Sequence, residues 1–498
     1  MKNELKRELG LLDVFCLASG AMISSGLFVL PGLAYAMSGP ALIIAYLLAG
    51  ILVIPSMLAK AELATAMPKA GGVYFFIERS LGSAVGTVGG MASWFSLSFK
   101  SAFALIGMGT FAILLYPDIS PSQVKMIAVG SCLFFMVINI IGVKHTGRLQ
   151  VHLVLILFGI LLLYVLGGCS FIHIQHYIPF MPFGFGSVLA CTGLVFVSFG
   201  GLTKVACVSE EVKNPGRNIP LGMILAFLAV MCLYAAVIVV TMGLVEPHKL
   251  AGSLIPISLG AGTMAGTFGI IVLAAAAILA FITTANAAIL SASRDLLAIG
   301  RDRILPRAFC TLNDRFKTPH LPIIFTALFM ILVILFLNLE NLVKTASTLK
   351  ILLFTLTNIS LIAMRESKIQ SYQPTFRSPL YPWIQILAII GNLFLIIQMG
   401  TIPLSITGLF VAMSLIWYFI YARSRINRLS AFIHVLERIT NRKLVNETLR
   451  SELKEILIHR DNIIEDRFDE LIKRCRILDI QYPISADEVF AMLARELS

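Results

Sequence analysis

Along the 498-residue chain, apolar residues run in long stretches separated by short polar loops. About 20 consecutive apolar residues suffice to cross a bilayer as a helix. Windows of that kind fall at 11–37, 41–66, 83–115, 125–142, 149–169, 187–208, 220–243, 263–293, 321–338, 347–364, 381–399 and 403–422. The pattern predicts an all-α integral membrane protein with twelve transmembrane helices over residues 1–422. Beyond 422 the pattern changes: residues 423–498 carry 14 Lys/Arg and 13 Asp/Glu and no spanning run. Leu449, Leu453, Ile456 and Leu457 share one helical face. Pro483 breaks the chain, and "SADE" (Ser485 to Glu488) is a capping box before Val489, Leu493 and Leu497. This tail is expected to be helical and cytoplasmic, either a solvated appendage or a regulatory module that docks a cytoplasmic partner.

Composition supports a membrane protein: 58% hydrophobic residues, 13% charged and a mean hydropathy of +0.89. The net charge of +12 forms no nucleic-acid patch, because the basic residues are dispersed among loops. With the N-terminus inside, the inner segments before the tail hold 18 Lys/Arg and the outer ones three, Lys125, Lys249 and Lys344. That asymmetry places both termini in the cytoplasm and the protein in the cytoplasmic membrane as a multi-pass chain. The eight cysteines show no CxxC spacing and are expected to be small apolar fillers, neither disulfides nor metal ligands. No cleavable leader is expected, since the first apolar run is of spanning length without a cleavage pattern. No HExxH, GxSxG or Walker-type loop occurs, which argues against an enzyme or a nucleotide-driven pump and implies no cofactor.

Two apolar windows are interrupted in the middle. "MISSGLFVLPG" places Ser24, Ser25 and Gly26 halfway through the first, and "FVSFGGLTK" places Gly200 and Gly201 halfway through the sixth. Unwound backbone survives in a bilayer only where protein or a wet cavity shields it. Glycine and serine also serve close helix packing, so either interruption alone is ambiguous. A pair at corresponding positions of two five-helix halves points to a transporter's binding site. The second half of the first helix would begin near Gly26 with free amides suited to a carboxylate, and the first halves of both helices would end in carbonyls suited to an ammonium. That chemistry fits an α-amino acid.

Four stretches then resemble a known family: "GAMISSGLFVLPG", "AELATAMPKAGGVYFFIERSLG", "SEEVKNPGRNIP" and "SASRDLLAIGRDRILPRAF". They are similar to signatures of amino acid permeases in the amino acid–polyamine–organocation superfamily, over roughly residues 8–420. The resemblance implies the leucine-transporter fold, with helices 1–5 and 6–10 as inverted repeats, helices 11 and 12 peripheral, and helices 1, 3, 6, 8 and 10 lining the cavity. It implies that Ser25 and Gly26 amides hold the substrate carboxylate, and that carbonyls of Met22 and Ile23 and those around Phe196 and Ser198 accept from the ammonium. It places Phe199 over the substrate and suggests a roomier pocket beside Gly200. Thr283, Thr284 and Asn286 on helix 8 are weaker candidates, with interhelical hydrogen bonding as the alternative. Some proton-coupled relatives carry a lysine in helix 5, where this chain has Leu157.

Lys100 stands near the centre of the third window. A mid-bilayer lysine costs about 2.5–3.5 kcal/mol on insertion scales, so it calls for a partner or a wet cavity. It is expected either to pair with a substrate side-chain carboxylate or to exchange protons and couple transport to the proton gradient. Lys60, Glu62, Lys204 and Glu210 are expected nearer the cytoplasm as gating or loop-anchoring charges, with direct substrate contact as the alternative. His152 is read as a structural histidine, with a proton relay as the alternative; His173 and His176 lie in an outward loop. The function expected is secondary active transport of an amino acid, acidic or otherwise neutral, by alternating access and proton coupling. The competing readings are an amino acid or amine exchanger without a coupling ion, and a permease-like sensor that signals through the tail.

Overall fold

The structure is a computed structural model that describes residues 7–68, 72–114, 116, 118–141, 147–313, 316, 318–369, 372–425, 431, 432 and 456. Leu449, Leu453 and Leu457, the 485–488 capping box and the last predicted helix lie outside the described residues.

The described residues are helical almost throughout, with no strand longer than a single bridge. The first apolar window is split into α1 (Leu11–Met22), α2 (Ser25–Phe28) and α3 (Leu30–Ser38). Next come α4 (Leu42–Ala66), α5 (Gly72–Leu81), α6 (Ser83–Thr110), α7 (Pro121–Ile141) and α8 (Gly147–Gly168). The sixth window is divided into α9 (Gly184–Val195), a 3₁₀ stretch (Phe196–Leu202) and α10 (Thr203–Cys207). After it come α11 (Pro215–Leu244), the short α12 (Pro247–Leu250) and α13 (Pro256–Arg301). The last elements are α14 (His320–Phe336), α15 (Leu339–Glu366), α16 (Trp383–Gln398) and α17 (Thr401–Trp417). Among the described residues, nine helical stretches are long and apolar enough to cross a membrane, and α1, α14 and α16 are shorter apolar helices.

Burial follows the apolar pattern. In α6, the stretch from Ala92 to Leu105 is buried without interruption, as are Leu342 to Ile351 of α15 apart from Lys344. By contrast α7, α8, α16 and α17 turn large apolar side chains outward, among them Phe134, Leu163, Ile397 and Phe419. Such a surface is stable only against lipid or another apolar phase. The core therefore lies along α6 and α15, with α1, α4, α9 and α13 packed around them.

Two turns depend on glycine conformation. Gly39 (φ 62°) reverses the chain between α3 and α4, assisted by Pro40, and Gly266 (φ 57°) kinks α13 near its start. One backbone clip ties the two split windows together. The Glu8 and Leu9 amides both donate to the Glu211 carbonyl at 2.9 and 3.0 Å, and Lys213 N donates to Leu9 O at 2.9 Å. The chain entering α1 is thus fastened to the loop that leaves α10.

Replacing Gly39 by Ala would force a side chain into a left-handed position, with Pro182 Cγ 2.7 Å from the new Cβ. We expect a loss of about 1–2 kcal/mol, read as a lower melting temperature of the detergent-purified protein. Gly130→Ala, within α7 and with nothing inside 4 Å, should hold or raise the melting temperature, since alanine is the better helix former.

Candidate functional site

The first window breaks where its serines predict. α1 ends at Met22, Ile23 is extended (φ −70°, ψ 97°), and Ser24 (φ −158°, ψ −141°) precedes the single turn of α2. A second break follows at Val29 because Pro31 has no amide to continue the ladder from α2 into α3. The broken segment is wholly buried, so its freed peptide groups need partners from elsewhere.

Those partners come from four other elements. Lys100 Nζ on α6 donates to Ala21 O at 2.9 Å, and the Tyr234 hydroxyl on α11 donates to Met22 O at 2.8 Å. Gly26 O accepts from the Tyr46 hydroxyl of α4 at 2.7 Å and from Ser198 Oγ in the 3₁₀ stretch at 3.2 Å. No donor among the described residues is bonded to the Ile23 carbonyl. The Ser24 and Ser25 hydroxyls are fully buried and without a hydrogen-bond partner. Since α2 has only four residues, it presents amides at Ser25 and Gly26 but no sizeable dipole, unlike the longer second half expected from the sequence.

The sixth window departs further from expectation. It tightens into a 3₁₀ helix over 196–202 and does not open at Gly200–Gly201. Ser347 on α15 holds the transition: its Oγ donates to Leu194 O at 2.8 Å and accepts from Val197 N at 3.2 Å. Gly26, Gly200 and Gly201 all keep negative φ, so their conformational freedom is unused. Their smallness is what the structure uses. A Cβ on Gly201 would lie 2.5 Å from Ala21 C and Met22 N, and one on Gly26 would lie 2.9 Å from Ser198 Cα. The space beside Gly200 holds the Lys350 side chain, whose Cε would be 3.1 Å from an added Cβ, so that position is not roomier.

Other predicted residues are dispersed. Phe199 packs against Phe227 and Tyr234, at 5.9 and 5.6 Å between ring centres, while Phe196 meets Phe354 at 5.3 Å. Asn286 accepts a 2.7 Å hydrogen bond from Asn139 Nδ2 of α7, which is the interhelical alternative. Thr283 Oγ1 donates to Ala280 O at 3.0 Å beside an apolar groove that includes Gly20 and Leu157, and Thr284 Oγ1 is buried without a partner. His152 is exposed on the side of α8, and Glu210 lies in a short 3₁₀ turn, Ser209–Glu211.

Glu62 anchors a separate network at the far end of α15. Its carboxylate accepts from Arg365 Nε and Nη2 at 2.7 and 2.5 Å, from the Tyr372 hydroxyl at 3.1 Å and from Ser378 N at 2.7 Å. Burial first, then the Glu62 carboxylate, holds the Tyr372 phenol well above its ordinary pKa, so it remains a donor. Glu62, Arg365 and Tyr372 line a cavity of about 340 Å³. Lys60, two residues from Glu62, has no hydrogen-bond partner; its Nζ sits 3.1 Å above the Phe354 ring. Lys350 was missed by sequence reasoning, although a lysine inside the 347–364 window was the available signal. No group of three His, Cys, Asp or Glu suited to a metal occurs among the described residues.

Comparison with known proteins gives consistent matches over nearly the whole chain. A family profile described as amino acid permease matches residues 9–422. The branched-chain amino acid permease BcaP of Bacillus subtilis (strain 168) is 28% identical over 451 residues, 86% of this chain and 96% of that protein. The methylthioribose transporter of the same organism is 28% identical, covering 84% and 94%. Cationic amino acid transporter 1 of Arabidopsis thaliana is 27% identical, covering 73% and 63%.

Gly201→Ala should cost about 1–3 kcal/mol, because backbone, not a flexible side-chain end, stands in the way. Thermal melting of the purified protein checks this, and an unshifted melting temperature would show that the α1 end is free to move aside.

Proposed function

The chain belongs to the amino acid permease family, and on that premise we propose that it is a secondary active transporter carrying an α-amino acid across the cytoplasmic membrane by alternating access. The observation that carries this reading is the buried break at Ile23 and Ser24, with two serine hydroxyls left unpartnered beside it. Buried hydroxyls without partners are costly, and a ligand that bonds to them removes the cost. Amides at Ser25 and Gly26 suit the substrate carboxylate, and the Ile23 carbonyl suits its ammonium. Hydrogen bonds to charged groups contribute about 1.5–3 kcal/mol each.

In this reading the helices form twelve crossings, with α1–α3 as the first and α9–α10 as the sixth. Crossings one to five and six to ten are inverted repeats, and α16 and α17 are peripheral. The loop charges orient both termini to the cytoplasm. The Glu62–Arg365–Tyr372–Ser378 network then lies on the inner side and ties α4 to α15 and the chain after it. It acts as a latch that must open to release substrate inward.

Lys100 supplies the coupling. As an ammonium it clamps the Ala21 carbonyl at the end of α1, where a cation is also favoured by the helix C-terminus. Loss of its proton weakens that clamp and frees α1 to move, which links α1 movement to a proton. Leu157, buried at the position where some relatives have a lysine, leaves this task to α6.

Uptake of the twenty amino acids into proteoliposomes, with and without an acid-outside gradient, tests the reading. An acid exterior should accelerate uptake, and Lys100→Met should remove that acceleration. Uptake only into vesicles preloaded with an amino acid would indicate exchange. Glu62→Gln should weaken the latch and change the ratio of inward to outward transport at least threefold, measured with oriented vesicles. An unchanged ratio would remove Glu62 from gating.

A further inference from the structure

Between α15 and α16 the chain folds back over the end of α15. Arg365 Nη2 donates to Ser378 O at 3.1 Å, and Ser378 N and the Tyr372 hydroxyl donate to Glu62 at 2.7 and 3.1 Å. Two left-handed residues that are not glycine, Lys368 (φ 51°) and Leu380 (φ 54°), mark the turns on either side. The fold leaves the cavity of about 340 Å³ already described, within the size range of small-molecule sites. Its charged lining is Arg365, Lys368 and Arg377 against Glu62 and Glu366, three cations and two carboxylates.

The carboxylates are already served. Glu62 accepts two hydrogen bonds on each oxygen, and Glu366 accepts from the Tyr381 hydroxyl at 2.9 Å. The cations are not. Lys368 and Arg377 are exposed, and neither side chain has an ion pair or hydrogen bond among the described residues. Arg365 directs Nε and Nη2 to Glu62 and Ser378, and no acceptor among the described residues is bonded to its Nη1. Loop cations are ordinarily just solvated; these three line one concavity with an excess of positive charge, which concentrates anions. Two residues past Tyr381, α16 begins at Trp383. Trp383, Leu387, Ile390, Phe394 and Ile397 fall on one helical face and are all exposed. Tryptophan at the end of such a helix sits at headgroup level, and the stripe that follows it is a surface for acyl chains.

We propose that this cavity binds the phosphate of an anionic phospholipid, with Lys368, Arg377 and Arg365 Nη1 on its oxygens and the acyl chains along Trp383, Leu387 and Ile390. Basic pockets at the membrane surface between helices take such headgroups. A free phosphate ester has the same anionic chemistry but gains nothing from the apolar stripe. The phosphate and Glu62 use different nitrogens of one guanidinium, so the lipid does not compete with the Glu62–Arg365 pair. The proposal needs only that α16 faces lipid and is independent of the transport reading.

The test is a titration of the full chain, in non-ionic detergent at fixed ionic strength, read by its melting temperature. The probes are dioctanoyl phosphatidylglycerol, dioctanoyl phosphatidylcholine and glycerol 3-phosphate. Phosphatidylglycerol should raise the melting temperature with an apparent Kd at least tenfold below that of the other two. Lys368→Gln combined with Arg377→Gln should weaken phosphatidylglycerol at least tenfold and leave phosphatidylcholine unchanged. Both side chains are exposed, so the double variant is expected to fold, which a monodisperse elution profile checks; the two single replacements are measured beside it. Lys213→Gln, which removes an exposed charge from a different loop, should change nothing. Equal affinity for phosphatidylcholine would overturn the proposal, as would full affinity in the folded double variant or an equal loss in Lys213→Gln. Glycerol 3-phosphate binding as tightly as the lipid would overturn the lipid assignment and make a soluble phosphate ester the ligand.

Discussion

A peptide carbonyl released inside a bilayer must find a donor, and the centre of this protein is organised around that requirement. The end of α1 and the turn of α2 are held by Lys100, Tyr234, Tyr46 and Ser198, which arrive from four different elements. Each contact fixes the break to a neighbouring element. A continuous helix would satisfy its own backbone and need none of these neighbours. The break therefore makes the positions of α4, α6 and α11 interdependent, as a carrier with one central site requires.

Small residues let this arrangement close. Gly26 and Gly201 bring the first and sixth segments into backbone contact, and the Ser347 hydroxyl bridges the shift from α-helix to 3₁₀ helix. The tighter 3₁₀ turn leaves the sixth segment continuous, so only the first offers a true gap. The unpartnered polar groups are consequently concentrated on the first segment, at Ile23, Ser24 and Ser25.

Much of the architecture was legible in the residues. Each predicted apolar window corresponds to a helical stretch, because helix length and apolarity are set locally by the bilayer's thickness. The pair Ser24–Ser25 marked the first break correctly, since serine competes with the helical ladder for its own backbone. The sixth segment misled: Gly200–Gly201 pointed to an opening, but these glycines serve close approach. Asn286 was a weaker candidate with interhelical bonding as its alternative, and it accepts from Asn139 of α7. Gly200 implied space that Lys350 occupies.

The amino-acid sequence by itself determined a helical membrane protein, the position of its first break and the presence of lysines inside apolar segments. These follow from hydropathy, glycine and serine chemistry and charge, all properties of short segments. Only the tertiary structure decided that Lys100 meets the end of α1, and that Glu62 belongs to Arg365 rather than to Lys60. Spacing along one helix says which residues share a face. What lies opposite that face depends on how distant helices pack, and no local pattern encodes it.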